Sequence, residues 1–380
     1  MRRNLVLGAA ACGATAPMLV ACSSGANPDA AARSLRRPMA AARGDGAAQM
    51  NELVRYATLA PSSHNTQCWK FQVQEPGPTR SITIEPDLTR RTPAVDPDDH
   101  HLFVSLGCAA ENLVQAALAH GLQGDARFDA TGAGAIVVGL QATRAISSPL
   151  FQAIAERQCT RGDYDGKPLA AAELRLLEQA GTGNGVRVLL LTERPAMERV
   201  LEYVVSGNTA QMNDAAFVAE LKAWIRFSAD EAVRTGDGLY AGATGNPSLP
   251  RWLGSRMMGL FFTSKSENER YARQIRNSAG IAVFTSEAND KAHWVEAGRC
   301  YERFALQATA LGVRNAFLNQ PVEVASIRPQ FASAIGLGGL GGLGDRRPDL
   351  VVRFGRGPMM PWSLRRPVES VLTAAVTAAR

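Results

Sequence analysis

Nowhere in the 380 residues do two cysteines stand two residues apart. The six cysteines, Cys12, Cys22, Cys68, Cys108, Cys159 and Cys300, are scattered, and that spacing gives neither a zinc site nor a redox dithiol. Runs of one charge are absent as well: 41 basic residues face 35 acidic ones, for a net charge of +6, and the arginines are spread along the chain. No nucleic-acid partner is indicated. The glycine-rich run Gly336 to Gly344 lacks the Gly-Lys-Ser/Thr of a phosphate loop and does not open a helix, so it reads as a flexible connection. Ser62 and Ser63 lack the Gly-x-Ser-x-Gly elbow of a hydrolase nucleophile. The five histidines, His64, His100, His101, His120 and His293, are not spaced to put ligands on one helix face, so no metal is expected. Surface or packing roles are expected for them, the adjacent His100 and His101 included.

What is present begins with Arg2-Arg3, followed by an apolar, small-residue run ending at Leu19-Val20-Ala21-Cys22. Residues 1–22 read as an export signal of the twin-arginine type. Leu-Val-Ala-Cys is similar to a lipoprotein cleavage box, which would lipidate Cys22 and leave the protein periplasmic or membrane-anchored. An ordinary cleaved signal and a short membrane anchor are the alternatives, although the run is shorter than the ~20 residues that cross a bilayer. Residues 23–46, rich in Ala, Arg, Ser and Gly, then read as a flexible tether.

Beyond the tether, helices and strands alternate. Met50, Leu53, Val54 and Ala57 fall at helical spacing, and Pro61 ends the pattern. A strand is predicted through Trp69, Phe71 and Val73, and a buried helix from Asp96-Pro97 to Gly121. A second long helix is predicted from about Lys291 to Leu311. The two helices carry one register: Gly107, Glu111, Ala117, Ala119 and Gly121 match Gly298, Glu302, Ala308, Ala310 and Gly312 at an offset of 191. Asp99 and Val104 match Asp290 and Val295 at the same offset. Two related halves in one chain follow, residues 47–147 and 148–380, each helix first and strands last. Such a chain mimics a homodimer and is expected to be a monomer. Residues 228–266 show little periodicity and read either as a mobile lid or as an insertion.

Pro61-Ser62-Ser63-His64-Asn65-Thr66-Gln67-Cys68-Trp69 joins the first helix to the first strand. Its hydroxyls and amides can surround a polar, ring-shaped ligand without charge. Here the chain resembles the FMN-dependent nitroreductase family, whose segment reads Pro-Ser-Ser-x-Asn-x-Gln-Pro-Trp, with Cys68 in place of the second Pro. The resemblance implies an α+β, nitroreductase-like fold and an FMN site shared between the two halves. It puts Pro61, Ser62, Ser63, Asn65 and Gln67 at the flavin. Arg157-Gln158-Cys159-Thr160-Arg161 stands where the family's Arg-x-Ser/Thr-x-Arg/Lys segment grips the phosphate, so Arg157, Cys159 and Arg161 are implied there. Two guanidiniums on one short segment suit a phosphate. Arg365 and Arg366 resemble the basic closing arm that completes that grip. Gln320-Pro321-Val322-Glu323-Val324 resembles the Pro-x-Glu-Gly turn beside the flavin N5, with Glu323 facing the ring and Val324 narrowing the space above it.

No Arg-x-Thr-x-Arg opens the first half, and no Pro-Ser-Ser-x-Asn stands near Gly181 to Gly185, so one FMN per chain is expected. The implied activity takes electrons from NAD(P)H or a membrane donor through flavin N5 to a nitroaromatic or quinone-like acceptor, with no catalytic side chain required. A non-catalytic protein that stores FMN under the lid is the alternative. A colourless envelope scaffold rests on the signal alone.

Overall fold

The computed structural model describes residues 26–38, 46–74, 80–337 and 346–373. The export signal and Cys22 lie outside the described residues, as does most of the glycine-rich connection.

The first half contains helices α1 (Pro28–Leu35) and α2 (Gly46–Thr58), strands β1 (Trp69–Gln74) and β2 (Arg80–Pro86), helix α3 (His100–Ala119), and strands β3 (Leu122–Asp129) and β4 (Ala135–Ala142). The second half opens with α4 (Pro149–Ala153), α5 (Ala171–Ala180) and β5 (Val186–Leu191). A helical insertion follows: α6 (Arg194–Asn213), α7 (Ala215–Trp224), β6 (Ile225–Arg226), α8 (Ala229–Thr235), β7 (Leu239–Tyr240), α9 (Arg251–Phe261) and α10 (Ser264–Arg276). The half closes with β8 (Gly280–Ser286), α11 (Lys291–Ala310), β9 (Arg314–Phe317), α12 (Gln320–Glu323), α13 (Arg328–Ala334), β10 (Arg347–Gly355) and β11 (Leu372–Thr373).

The fold is α+β, and its two main sheets repeat one topology. The first runs β11-β1-β2-β4-β3 and the second β5-β8-β10-β9. Apart from β11, neighbouring strands in both sheets are antiparallel. β1, β2, β4 and β3 therefore correspond to β5, β8, β10 and β9. In each half the central helix enters after the second strand and leaves through a glycine with positive φ, Gly121 at 77° and Gly312 at 69°. Glycine adopts that left-handed turn without the strain a Cβ brings. At the other ends, both carboxylate oxygens of Asp96 accept from the amides of His101 and Leu102, and Asp290 accepts from His293. These contacts satisfy amides that helix geometry leaves free.

Helices α3 and α11 pack against each other through the repeated glycines. A Cβ on Gly107 would lie 2.0 Å from the Val295 carbonyl oxygen, and one on Gly298 would lie 2.0 Å from that of Val104. The contact is a pseudo-two-fold, because 298 − 107 and 295 − 104 are both 191. One continuous core covers both halves.

Three expectations need correction. Residues 28–35 of the presumed tether form a helix: Asn27 and Pro28 start it, Ala32 packs against Ala232, and buried Arg36 donates to the Ala155 carbonyl. The boundary at 147/148 is also crossed, since β11 from the end of the chain pairs in parallel with β1. Residues 228–266 are helical over α8 and α9, and glycines and prolines cut them into pieces too short to show a period.

Candidate functional site

Between the halves lies a cavity of about 470 Å³, within the ~300–1,000 Å³ of small-molecule sites. One wall is the loop after α2. His64, Asn65 and Gln67 have φ of 46°, 53° and 53°, a left-handed conformation that costs non-glycine residues roughly 1–2 kcal/mol each. Hydrogen bonds hold the loop there. Asn65 donates its amide to the carbonyls of Gly238 and Leu364, and Gln67 donates to Gly236 and accepts from the Arg366 amide. The Ser62 hydroxyl accepts from the Gln67 amide. Held this way, the loop turns Pro61, Ser62, Ser63 and His64 into the cavity.

α3 supplies His101, Val104, Ser105 and Cys108 to the floor, and the second half supplies Arg161, Asn319, Gln320 and Glu323. The insertion closes the top with Phe217, Phe227, Met258 and Phe262, beside polar Gln211, Arg270 and Tyr271. The cavity is thus apolar above and polar below. Burial pushes the Cys108 thiol well above its ordinary range, so it is no nucleophile.

Electrostatics at the floor favour neutral side chains beside free cationic ones. Burial, and then Arg161, lowers the His64 pKa to about 4. Burial also lowers His101 and raises Glu323, each held back by the other. The two stand 3.8 Å apart, and Gln211 donates to Glu323 at 2.6 Å. The Arg161 side chain has no partner among the described residues. Arg270 pairs with Glu267, yet its Nε is unpartnered, as are His64 Nδ1 and Gln320 Oε1. Buried polar atoms normally have partners, so these four groups are placed for a polar ligand. His101 and its neighbours Asp96 and His100 bring ligand atoms within 4.8 Å of one another. Asp96 is engaged by the helix amides and His100 by Asp349 at 3.1 Å, so these side chains are committed to structure.

Of the residues the sequence put at the flavin, Pro61, Ser62, Ser63, Arg161 and Glu323 line the cavity, and the others do not. Asn65 and Gln67 are the clamps just described. Arg365 donates to the carbonyls of Thr58, Leu59 and Ala60, and Arg157 donates to Leu59 and pairs with Glu302 at 3.1 Å. Both guanidiniums serve the buried carbonyl end of α2, where cations are favoured, which is why they are not a phosphate grip. The Arg366 side chain turns to the Ser370 carbonyl. Cys159 bridges to Asn315 of β9, and Val324 caps α12 without lining the cavity. His100 and His101 are buried, so neither has a surface role. Sequence reading missed His101, Ser105, Gln211 and Arg270 in the cavity; the unusual adjacent histidines were the available signal.

The pseudo-symmetric position holds no matching cavity floor. In place of Ser105 and Cys108 stand Glu296 and Arg299, tied with Arg303 to Glu111 at 2.9–3.2 Å. Gly183, in the loop corresponding to Pro61–Trp69, sits so close that a Cβ would meet Glu296 Oε1 at 2.2 Å. Ion pairs and a glycine loop fill the second position.

An α+β pseudo-dimer with one polar-floored, roofed cavity between its halves is the class of protein that fold and site define. Two relatives from Mycobacterium tuberculosis, one from strain CDC 1551 / Oshkosh and one from ATCC 25618 / H37Rv, are named as NAD(P)H nitroreductases. Each is 26% identical over 358 residues, covering 88% of this chain and 96% of the relative. No protein-family model matches. Among solved structures, a protein named as a nitroreductase from Anabaena variabilis is 10% identical, covering 86% of this chain and 91% of its own at a TM-score of 0.46. A Desulfitobacterium hafniense nitroreductase with bound FMN is 15% identical, covering 58% and 96% at 0.37. An FMN-dependent nitroreductase from Mycobacterium smegmatis, in complex with NADPH, is 12% identical, covering 55% and 87% at 0.35.

Proposed function

We propose that this chain is an exported, FMN-binding oxidoreductase of the nitroreductase type, which passes electrons from NAD(P)H or a membrane donor to a nitroaromatic or quinone-like acceptor. The observation that carries the reading is the set of buried unpartnered atoms His64 Nδ1, Arg270 Nε and Gln320 Oε1, together with the half-buried Arg161, in a cavity built from both halves. They fit FMN. Arg161 is the unpaired cation available to its phosphate and the free Nε of Arg270 a further donor, Ser62, Ser63 and Gln320 the neutral partners for its other polar atoms, and Phe217, Phe227 and Phe262 an apolar cover.

Bound FMN supplies reversible two-electron chemistry. The chain's own residues would bind and orient it, while the roof keeps water from the reacting face. His101 and Glu323, both biased toward their neutral forms, would hold a proton at the cavity floor. No side chain need act as a nucleophile.

A second reading, storage of FMN without turnover, draws on the same roof, since α9 covers the cavity. Stopped-flow absorbance at the flavin band separates the two. Bleaching on addition of NADH or NADPH, then recovery on adding a nitroaromatic, is expected of the enzyme; an unchanged flavin spectrum leaves storage. Protein that stays colourless and ignores added FMN removes both. Export through a twin-arginine signal and lipidation of Cys22 belong to the same proposal. A lipid mass on the N-terminal peptide, lost in Cys22→Ala, is the expected result.

A further inference from the structure

The roof helix α9 is apolar on the wrong side for a protein surrounded by water. Trp252, Leu260 and Phe261 are 69%, 70% and 64% exposed, and Met257 is 38% exposed. Residues 252, 256 and 260 fall on one helix face, and 257 and 261 turn from it toward the side of Gly254. The opposite side holds the helix down: Gly254 is buried, and a Cβ there would meet the Phe227 ring at 2.5 Å. Packing through a glycine leaves the large side chains facing out. Clustered exposed apolar groups of this kind mark an interaction surface.

Charge selects the partner. Between Gly238 and Ser266 the chain carries Arg251, Arg256 and Lys265 and no Asp or Glu. Arg251 pairs with Glu231 at 2.9 Å, whereas Arg256 and Lys265 are exposed with no ion pair among the described residues. A helix with Trp252 and Leu260 on one face, an exposed Phe261 at its end and flanking cations has the composition of one that lies in a membrane interface. Anionic headgroups complement the cations.

The course of the chain gives an independent argument. The amide of Ala26, where the described chain begins, donates to Asp230 at 2.8 Å. Its neighbour Glu231 is the residue that holds Arg251 at the start of α9. Only three residues separate Cys22 from Ala26, and the four Cα steps between them reach at most roughly 14 Å. A lipid on Cys22 would therefore enter the bilayer on the side of the molecule that carries α9.

We infer that α9 docks on an anionic lipid bilayer, with Trp252 and Leu260 inserted at headgroup depth. Met257 and Phe261, both exposed and next to that face, line the cavity, so the docked face borders the cavity. The docking does not depend on the proposed redox activity.

Full-length protein carrying Cys22→Ala, which cannot be lipidated, is mixed with phosphatidylglycerol/phosphatidylethanolamine vesicles or with phosphatidylcholine vesicles. Binding is read by co-sedimentation, and depth by quenching of tryptophan emission with brominated lipid. Expected are binding to the anionic vesicles, at least tenfold weaker binding by Trp252→Ser/Leu260→Ser, neither of which lines the cavity, and loss of the quenched component in Trp252→Phe. These side chains are exposed, so the variants keep the parent's circular dichroism and flavin content. Equal binding by the double variant would assign the affinity to the N-terminal apolar run and overturn the inference. Equal binding to phosphatidylcholine overturns it too. A parent that elutes as a dimer, with a monomeric double variant, would instead give the face to a second copy.

Discussion

Arg157 and Arg161 share one short segment, yet one guanidinium is buried against α2 and the other faces the cavity. Arg161→Ala is expected to weaken FMN binding about tenfold to a hundredfold, the worth of a charge-assisted hydrogen bond at ~1.5–3 kcal/mol, with little change in apoprotein stability. Arg157→Met should do the reverse. It leaves Glu302 buried without its partner, a loss of roughly 3–5 kcal/mol, seen in urea unfolding of the apoprotein. Flavin titration and unfolding on both variants check the pair. Nothing in the sequence separates the two arginines, because burial depends on the carbonyls of Thr58 to Ala60, which only the fold brings to Arg157 and Arg365. Position and residue type made Ser62, Ser63 and Glu323 legible. His64 offers a pH test. Its folded pKa of about 4 lies below the unfolded value of ~6.5, so the unfolded chain binds more protons between these limits. Stability from this group is therefore lost as pH falls from about 6.5 to about 4. Glu302, pushed up to about 7 by burial, acts oppositely, losing stability as pH rises toward 7, so the His64 contribution is read by difference. His64→Asn, which tolerates the left-handed backbone, should flatten the fall in melting temperature across that window. Equal slopes for parent and variant would reject the assignment.

At the scale of elements, the contact of α3 with α11 governs how the halves meet, and it is the part of the fold most legible in the sequence. Glycines matched at an offset of 191 had a packing cause that the register alone suggested, since close helix approach needs a missing Cβ on each side. Gly107→Ala and Gly298→Ala each put a methyl about 2.0 Å from a backbone carbonyl, which no rotamer relieves. Each is expected to cost about 1–3 kcal/mol or more. A melting temperature equal to the parent's would show that the helices can separate without loss. Strand β1 was legible from the alternating Trp69, Phe71 and Val73, whereas β2 and β3 of the same sheet were not predicted. What escaped was structure held by distant partners. Helix α1 has little apolar content of its own and is ordered by α8 and by the Ala155 carbonyl. Strand β11 is two residues long and exists because β1 offers it an edge. Helices α8 and α9 are short, and α9 has its apolar residues outside, so the usual inward stripe is missing.

For the whole molecule, symmetry is present in the scaffold and absent from the sites. Strand order, helix packing and the Gly121 and Gly312 turns repeat. At the positions where a symmetric dimer would have two equal cavities, Ser105 and Cys108 on one side are replaced by Glu296 and Arg299 on the other. Converting the second position back would require more than two substitutions, because Gly183 and Arg303 fill the same volume and Glu111 holds two arginines there. An ion network of this kind, half-shielded from water, has low affinity for a further phosphate, since its cations are already matched by Glu111 and Glu296. The chain should therefore bind one FMN. Heat release of flavin from purified protein, with absorbance set against amino-acid analysis, should approach one flavin per chain and not exceed it at saturating FMN. The same sample should elute at the mass of a single chain, because the contact that a symmetric dimer would use is already made between α3 and α11. Two flavins per chain would mean that the Glu296, Arg299 and Arg303 network opens to admit a ligand.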